Sequence, residues 1–227
     1  MAQRQSEPSP GQGFGRRMRQ LLLPGIHRVL AAGLMAAALA TSAAAVQPLP
    51  SAEAPPDLVP VSRQVLPPLA HARFCLRHPG QCAVRGGSPQ PAGSAQAQLA
   101  AVVAINLAVN RDITPQADGT AQGITDEWRL NAVRGDCEDY ALLKRKRLLD
   151  LGWPSASLRL ATVLTPAGTG HAVLIARFRG GDFALDNLTN EIRPWRETGY
   201  RFLKIQSETD PKTWYSVAAP QAGGGLS

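Results

Sequence analysis

The sequence predicts an α+β protein in which N-terminal helices pack on an antiparallel sheet. Three observations carry that expectation. A breaker-free apolar run from Gln96 to Asn110 reads as a helix, and a second helix opens near Cys137 and runs through Ala141 to Leu151. Beyond Gly152 the pattern changes to β-rich runs: Leu158–Leu164, His171–Phe178, Phe183–Leu188 and, more weakly, Tyr200–Ile205. The links between these runs are short and hairpin-like, which favours antiparallel pairing over crossovers.

The chain divides into four parts. Residues 1–45 read as a signal peptide. Arg16, Arg17, Arg19 and Arg28 precede an uncharged, Ala- and Leu-rich run from Val29 to Val46, and Ala43 and Ala45 fit the small-residue pattern before a signal-peptidase cut. The run is close to membrane-spanning length, so an uncleaved anchor is the alternative, but its alanine content and cleavage-like end favour export to the periplasm. No cysteine follows the cut, which argues against a lipid anchor. Residues 46–68 form a Pro-rich leader without helix or strand period, 69–217 the folded domain, and 218–227, with Gly223-Gly224-Gly225, a flexible tail. Within the domain, Gly86 to Gly93 is a Gly/Pro/Ser loop and Asp126 to Leu130 a short turn or helix.

Charge excludes one class of function. The 227 residues carry a formal net charge of +7, but removal of residues 1–45 leaves 19 basic against 16 acidic residues, or +3. The basic balance is therefore a targeting effect and not a nucleic-acid signature. Lys144-Arg145-Lys146-Arg147 spreads around a helix without forming a stripe and reads as a solvated outer surface.

The chemistry concentrates in Gly135-Asp136-Cys137-Glu138-Asp139-Tyr140. Asp136 can cap the helix, with Glu138 and Asp139 in its first turn, and Gly152 and Pro154 stop it. A cysteine at a helix N-terminus is favoured as a thiolate by the dipole and the unpaired N–H groups. Three carboxylates beside it oppose that ionisation.

Cys75 and Cys82 stand seven apart, and an exported chain meets an oxidising compartment. A local disulfide is the simplest reading and leaves Cys137 as the odd thiol. The rivals are a zinc site of His71, Cys75, His78 and Cys82, or reduced structural cysteines. His171, which starts a strand after a flexible loop, is the obvious base for Cys137, and Asp186 on the next strand the obvious orienter. Their parity puts both on one sheet face. A turn at Gly180-Gly181 would place Asp186 opposite Ile175 and Asn190 opposite His171, so spacing leaves Asp186 and Asn190 both open.

Three blocks in order, Gly135 to Tyr140 with Lys144, His171-Ala172-Val173-Leu174 and Leu185-Asp186-Asn187, resemble the bacterial transglutaminase-like cysteine proteinases. Phe74-Cys75…Pro79…Cys82, Asn106…Asn110 and Asp126-Glu127-Trp128 fit as well, so the similarity covers Phe74 to Trp214. The resemblance implies a papain-like core with Cys137 as nucleophile, His171 as base and acid and Asp186, over Asn190, as orienter. It also implies a calcium-dependent periplasmic endopeptidase that releases a large surface adhesin to control biofilm attachment, sequestered by an inner-membrane cyclic-di-GMP receptor. Calcium bound by Asp136, Glu138 and Asp139 would reverse the field that opposes the thiolate. Two other functions stay open: a transglutaminase-type acyl transferase, and a non-catalytic secreted module that binds calcium or a partner.

Overall fold

The structure, a computed structural model, describes residues 57–119 and 126–218. The signal peptide read over 1–45, the first part of the leader and almost all of the tail lie outside the described residues. The helices are α1 (Leu69–Arg77), α2 (Ala95–Asp112) and α3 (Cys137–Asp150). The strands are β1 (Val61–Val65), β2 (Thr114–Pro115), β3 (Arg134–Gly135), β4 (Leu158–Leu164), β5 (Gly170–Phe178), β6 (Gly181–Leu185), β7 (Arg193–Pro194), β8 (Arg201–Gln206) and β9 (Trp214–Val217). Seven strands form one antiparallel sheet in the order β1-β9-β8-β4-β5-β6-β7, while β2 and β3 make a separate short parallel pair. Among the described residues no helix is long and apolar enough to cross a membrane.

Strand alternation builds two cores. Leu158, Leu160, Leu174, Ala176 and Phe178 pack against Phe74 of α1, Val102 of α2 and Leu142, Leu148 and Leu149 of α3. The alternate residues Ala161, Val163, Val173, Ile175 and Ala184 meet Val59, Trp195 and Phe202 instead. α2 begins where Ser94 Oγ accepts the Ala97 N–H, and α3 ends at Gly152, whose positive φ of 85° suits glycine.

Two expectations need correction. The leader is not structureless throughout: Val61–Val65 pairs with β9, and Val59 is buried. Four of the five β1 residues are exposed, so the strand has no apolar period of its own and exists through a partner some 150 residues away in the chain. Nor is the basic run a solvated surface. α3 is wedged between α2 and the sheet, and Lys144 and Arg145 are both buried. Arg145 donates to Leu158 O at 3.0 Å and Gln81 O at 2.6 Å, tying α3 to a strand and to the turn after α1. Lys146 and Arg147 stay nearer the solvent, paired with Asp150 and Asp112.

The hairpin register is also decided in three dimensions. The turn is Arg179-Gly180, both at positive φ (53° and 75°), as a two-residue twisted turn requires. A turn one residue later would preserve the in/out parity of every side chain. What differs is that the observed register sets Arg177 directly opposite Asp182. Asp182 is buried, and accepts from Arg177 Nε at 2.9 Å, Arg159 at 2.5 Å and Val59 N at 2.8 Å. Leaving that carboxylate unpaired would cost several kcal/mol, about the scale for a broken buried ion pair, so the register follows the charge.

Candidate active site and metal centre

α3 is entered through Gly135. A Cβ there would stand 2.2 Å from Asp139 Oδ2 and 2.7 Å from Asp139 Cβ, so only glycine lets the chain pass this close to the first helical turn. Cys137 is the first residue of that turn. It lines a cleft of about 280 Å³ together with Pro68, Asp126, Trp128, Glu138 and His171.

His171, near the start of β5, directs Nε2 to Asp186 Oδ1 at 2.8 Å. Asp186 follows β6 and, in the observed register, falls on the diagonal from His171 and not directly opposite, a separation that long side chains bridge. The Leu188 N–H donates to the same Oδ1 at 3.0 Å, and the Tyr200 hydroxyl donates to Oδ2. Burial raises the Asp186 carboxyl, but the bonds from His171, Tyr200 and Leu188 outweigh it and hold Asp186 below the usual carboxylate range. Tyr200 also sets its ring edge-on to His171, at 5.6 Å. Asn190, the alternative orienter, is occupied elsewhere: its Oδ1 accepts from Asn110 Nδ2 at 2.9 Å and its backbone oxygen from Asn106.

Burial, more than any neighbour, favours the neutral thiol. Cys137 Sγ donates to Glu138 Oε2 at 3.1 Å. Burial, followed by the Glu138 charge, pushes the thiol well above its ordinary value, and the Ala172 N–H offsets only part of this. Burial likewise pushes Glu138 up to about 8, with the Asp136 charge adding to it. The carboxylate conflict legible in the sequence is therefore physically present.

The acids do not act as one set. Asp139 is fully buried and both its oxygens are taken by Arg129, from the backbone N–H at 2.7 Å and the guanidinium at 3.1 Å. It braces the segment before α3. Asp136 occupies the N-cap position without making a cap bond, and its Oδ2 accepts from Asp118 N at 3.2 Å. Its Oδ1 is buried with no partner among the described residues. Asp118, Asp126 and Glu138 each bring a carboxylate oxygen within 4.8 Å of the others. An all-oxygen set with one orphaned carboxylate oxygen beside it fits a hard cation such as calcium. Asp118 and Asp126 are the members that sequence reasoning missed; the chain signal available was the Asp126-Glu127-Trp128 block, and none marked Asp118.

Cys75 and Cys82 form a disulfide, which leaves Cys137 as the free thiol among the described residues. Both sulfurs that a zinc site would need are thereby used. His71 is buried and accepts from Trp214 Nε1 at 3.2 Å, and burial, followed by the Arg145 charge, pushes it down to about 4.

The pattern of the bacterial transglutaminase-like cysteine proteinases (BTLCP) matches residues 61–222, a span that includes every element from β1 to β9. The chain belongs to this family. It is thus a cysteine proteinase by descent, with Cys137 its free thiol among the described residues and a protein as its class of substrate. Similar solved structures include LapG of Legionella pneumophila in three forms. The EGTA-treated form is 20% identical, with 54% of this chain and 68% of that one covered and a TM-score of 0.45. A second LapG structure gives 21%, 52%, 68% and 0.43, and the calcium-bound form 19%, 56%, 75% and 0.43. No curated protein sequence matches the chain.

Proposed function

We propose that this proteinase is a periplasmic, calcium-dependent endopeptidase in which Cys137 is the nucleophile, His171 the base and acid, and Asp186 the orienter. The observation that carries the reading is the His171–Asp186 bond of 2.8 Å at the cleft that also holds the helix-terminal thiol. With Nε2 committed to Asp186, Nδ1 of His171 is the nitrogen left to take the thiol proton. The thiolate attacks a peptide carbonyl, and N–H groups at the start of α3 face the developing oxyanion. His171 returns the proton to the leaving amine, a thioester forms, and water activated by His171 releases the acid and restores the thiol. Asp118, Asp126, Asp136 and Glu138 would hold calcium; a bound cation supplies positive charge that offsets the opposition of these acids to a thiolate.

The Arg-flanked apolar run over residues 1–45 supports export. Family resemblance supports a large surface adhesin as substrate, with biofilm detachment as the outcome, and an inner-membrane cyclic-di-GMP receptor as the sequestering partner. The test co-expresses a surface adhesin with the wild type or with Cys137→Ala. Cleavage by the wild type alone is expected, and cleavage by the variant sinks the nucleophile assignment. Activity unchanged by a calcium-selective chelator removes the metal from the scheme. Crosslinking to an added amine without cleavage would make the chain an acyl transferase.

A further inference from the structure

One side chain spans the acids around Cys137, and the proposed peptidase chemistry leaves it unused. Arg129 Nη2 donates to Asp118 Oδ1 at 2.8 Å and to Asp139 Oδ2 at 3.1 Å, and Nε reaches the same Asp139 oxygen at 3.3 Å. Its backbone N–H donates to the other Asp139 oxygen at 2.7 Å. The two carboxylates come from separate parts of the chain. Asp139 stands in the first turn of α3, two residues after Cys137. Asp118 follows β2 in a stretch that is neither helix nor strand. A single planar fork thus ties the nucleophile's helix to an acid outside regular structure.

The two ends of that fork do different work. Asp139 is fully buried and needs a counter-charge, which Arg129 supplies. Asp118 belongs to the candidate calcium set, with an oxygen within 4.8 Å of ligand atoms on Asp126 and Glu138. Its backbone N–H donates to Asp136 Oδ2 at 3.2 Å, and its Oδ2 accepts the Glu127 N–H at 2.5 Å. The Asp118 carboxylate is therefore aimed by Glu127 from one side and Arg129 from the other. Like charge drives Asp118, Asp126 and Glu138 apart, and among the described residues Asp118 is the one of the three with a cationic partner. The hydrogen-bond partners of a ligating carboxylate set its orientation and the affinity of the site.

Two effects oppose each other at such a position. A guanidinium repels an incoming cation, whereas an oriented carboxylate attracts it. Asp139, fully buried against Arg129, offsets the guanidinium charge, so orientation prevails. We infer that Arg129 is a positioning residue of the calcium site: anchored on Asp139, its guanidinium holds the Asp118 carboxylate beside Asp126 and Glu138.

The inference rests on the proposed calcium site. Its test is calorimetric titration of the EGTA-stripped mature protein with calcium chloride, for the wild type, Arg129→Gln and Arg129→Lys. Thermal unfolding in EGTA is recorded alongside. Arg129→Gln should weaken the calcium Kd by about tenfold to 100-fold. Arg129→Lys keeps the charge but lacks the fork that bridges two carboxylates, so its Kd should weaken as well. A Kd within about twofold of the wild type in either variant overturns the inference, since a lower melting temperature alone marks a structural ion pair. Tighter binding by Arg129→Gln also overturns it, because the guanidinium is then only a competing charge. Should Arg129→Gln not fold in EGTA, Arg129→Lys is judged by the same titration. Failure of the calcium reading looks different: there the wild type itself takes up no calcium, and both claims fall.

Discussion

Asp186→Asn isolates the charge that His171 faces while preserving the shape of the side chain. In the native site one oxygen accepts from His171 Nε2 at 2.8 Å and from Leu188 N at 3.0 Å, and the other accepts from Tyr200. An asparagine can still accept from His171 and Leu188 through its single oxygen, but it then turns an NH2 toward the Tyr200 hydroxyl, which can rotate to accept. The hydrogen-bond count changes little, and the lost quantity is the carboxylate's stabilisation of the imidazolium. At about 4 Å between charge centres and an effective dielectric near 20, that amounts to about 4 kcal/mol. Tyr200 and Leu188 already draw on the same charge, so about 3 kcal/mol is expected in the rate, a fall of about 100-fold in kcat. Unfolding free energy should change by only about 1 kcal/mol. Two measurements decide: kcat on a cleavable protein, and the pH profile of Cys137 alkylation by iodoacetamide. Without the carboxylate, an imidazolium formed beside the thiolate loses its counter-charge, so alkylation at neutral pH should be slower than in the wild type. A profile that superimposes on the wild type, with kcat within about twofold, refutes the reasoning.

Three further outcomes follow from the same geometry. Tyr200→Phe strips a donor from Asp186, so the carboxyl titrates higher and the acid limb of the activity profile moves to higher pH; urea unfolding should also fall by about 2 kcal/mol, and an unmoved acid limb counts against the role of Tyr200. Gly135→Ala forces a Cβ into Asp139 Cβ at 2.7 Å and should cost about 3 kcal/mol in a chemical denaturation curve, whereas a neutral substitution would show that the approach to α3 is less tight. His71 is held near 4 in the fold against 6.5 ordinarily, so the unfolded chain takes up a proton that the folded chain refuses between those values. Stability is therefore full above about pH 6.5 and falls by about 3 kcal/mol as pH drops toward 4; His71→Gln should lose that part of the slope, and an identical slope in both proteins would be the contrary result.

Much of the domain was legible because its signals are local. Leu158–Leu164 is a strand with those bounds, and the helices at Gln96 and Cys137 begin within a residue or two of their expected starts. Gly152 ends α3 by its own backbone freedom. β1 was not legible: Val-Ser-Arg-Gln-Val has no buried face, and its hydrogen bonds come from β9. Lys144 and Arg145 misled in the opposite sense, because charge suggests solvent until the fold brings backbone carbonyls or an aromatic ring alongside.

The acids around Cys137 show the same division. Composition alone established that carboxylates crowd a helix-terminal thiol and that a cation would relieve them. Which carboxylates face one another was a tertiary matter: Asp118, 18 residues before Asp136 in the chain, comes within 4.8 Å of Asp126 and Glu138, while Arg129 ties Asp139 to the segment before α3. So too with His171 and Asp186. Residue order alone placed a helix-terminal cysteine, the histidine that follows it and a later aspartate on a helix and a hairpin, in an order that suits a triad. Only the tertiary structure decided their partners, because pairing depends on register, and the register here is set by the Arg177–Asp182 ion pair, which must be satisfied once it is buried.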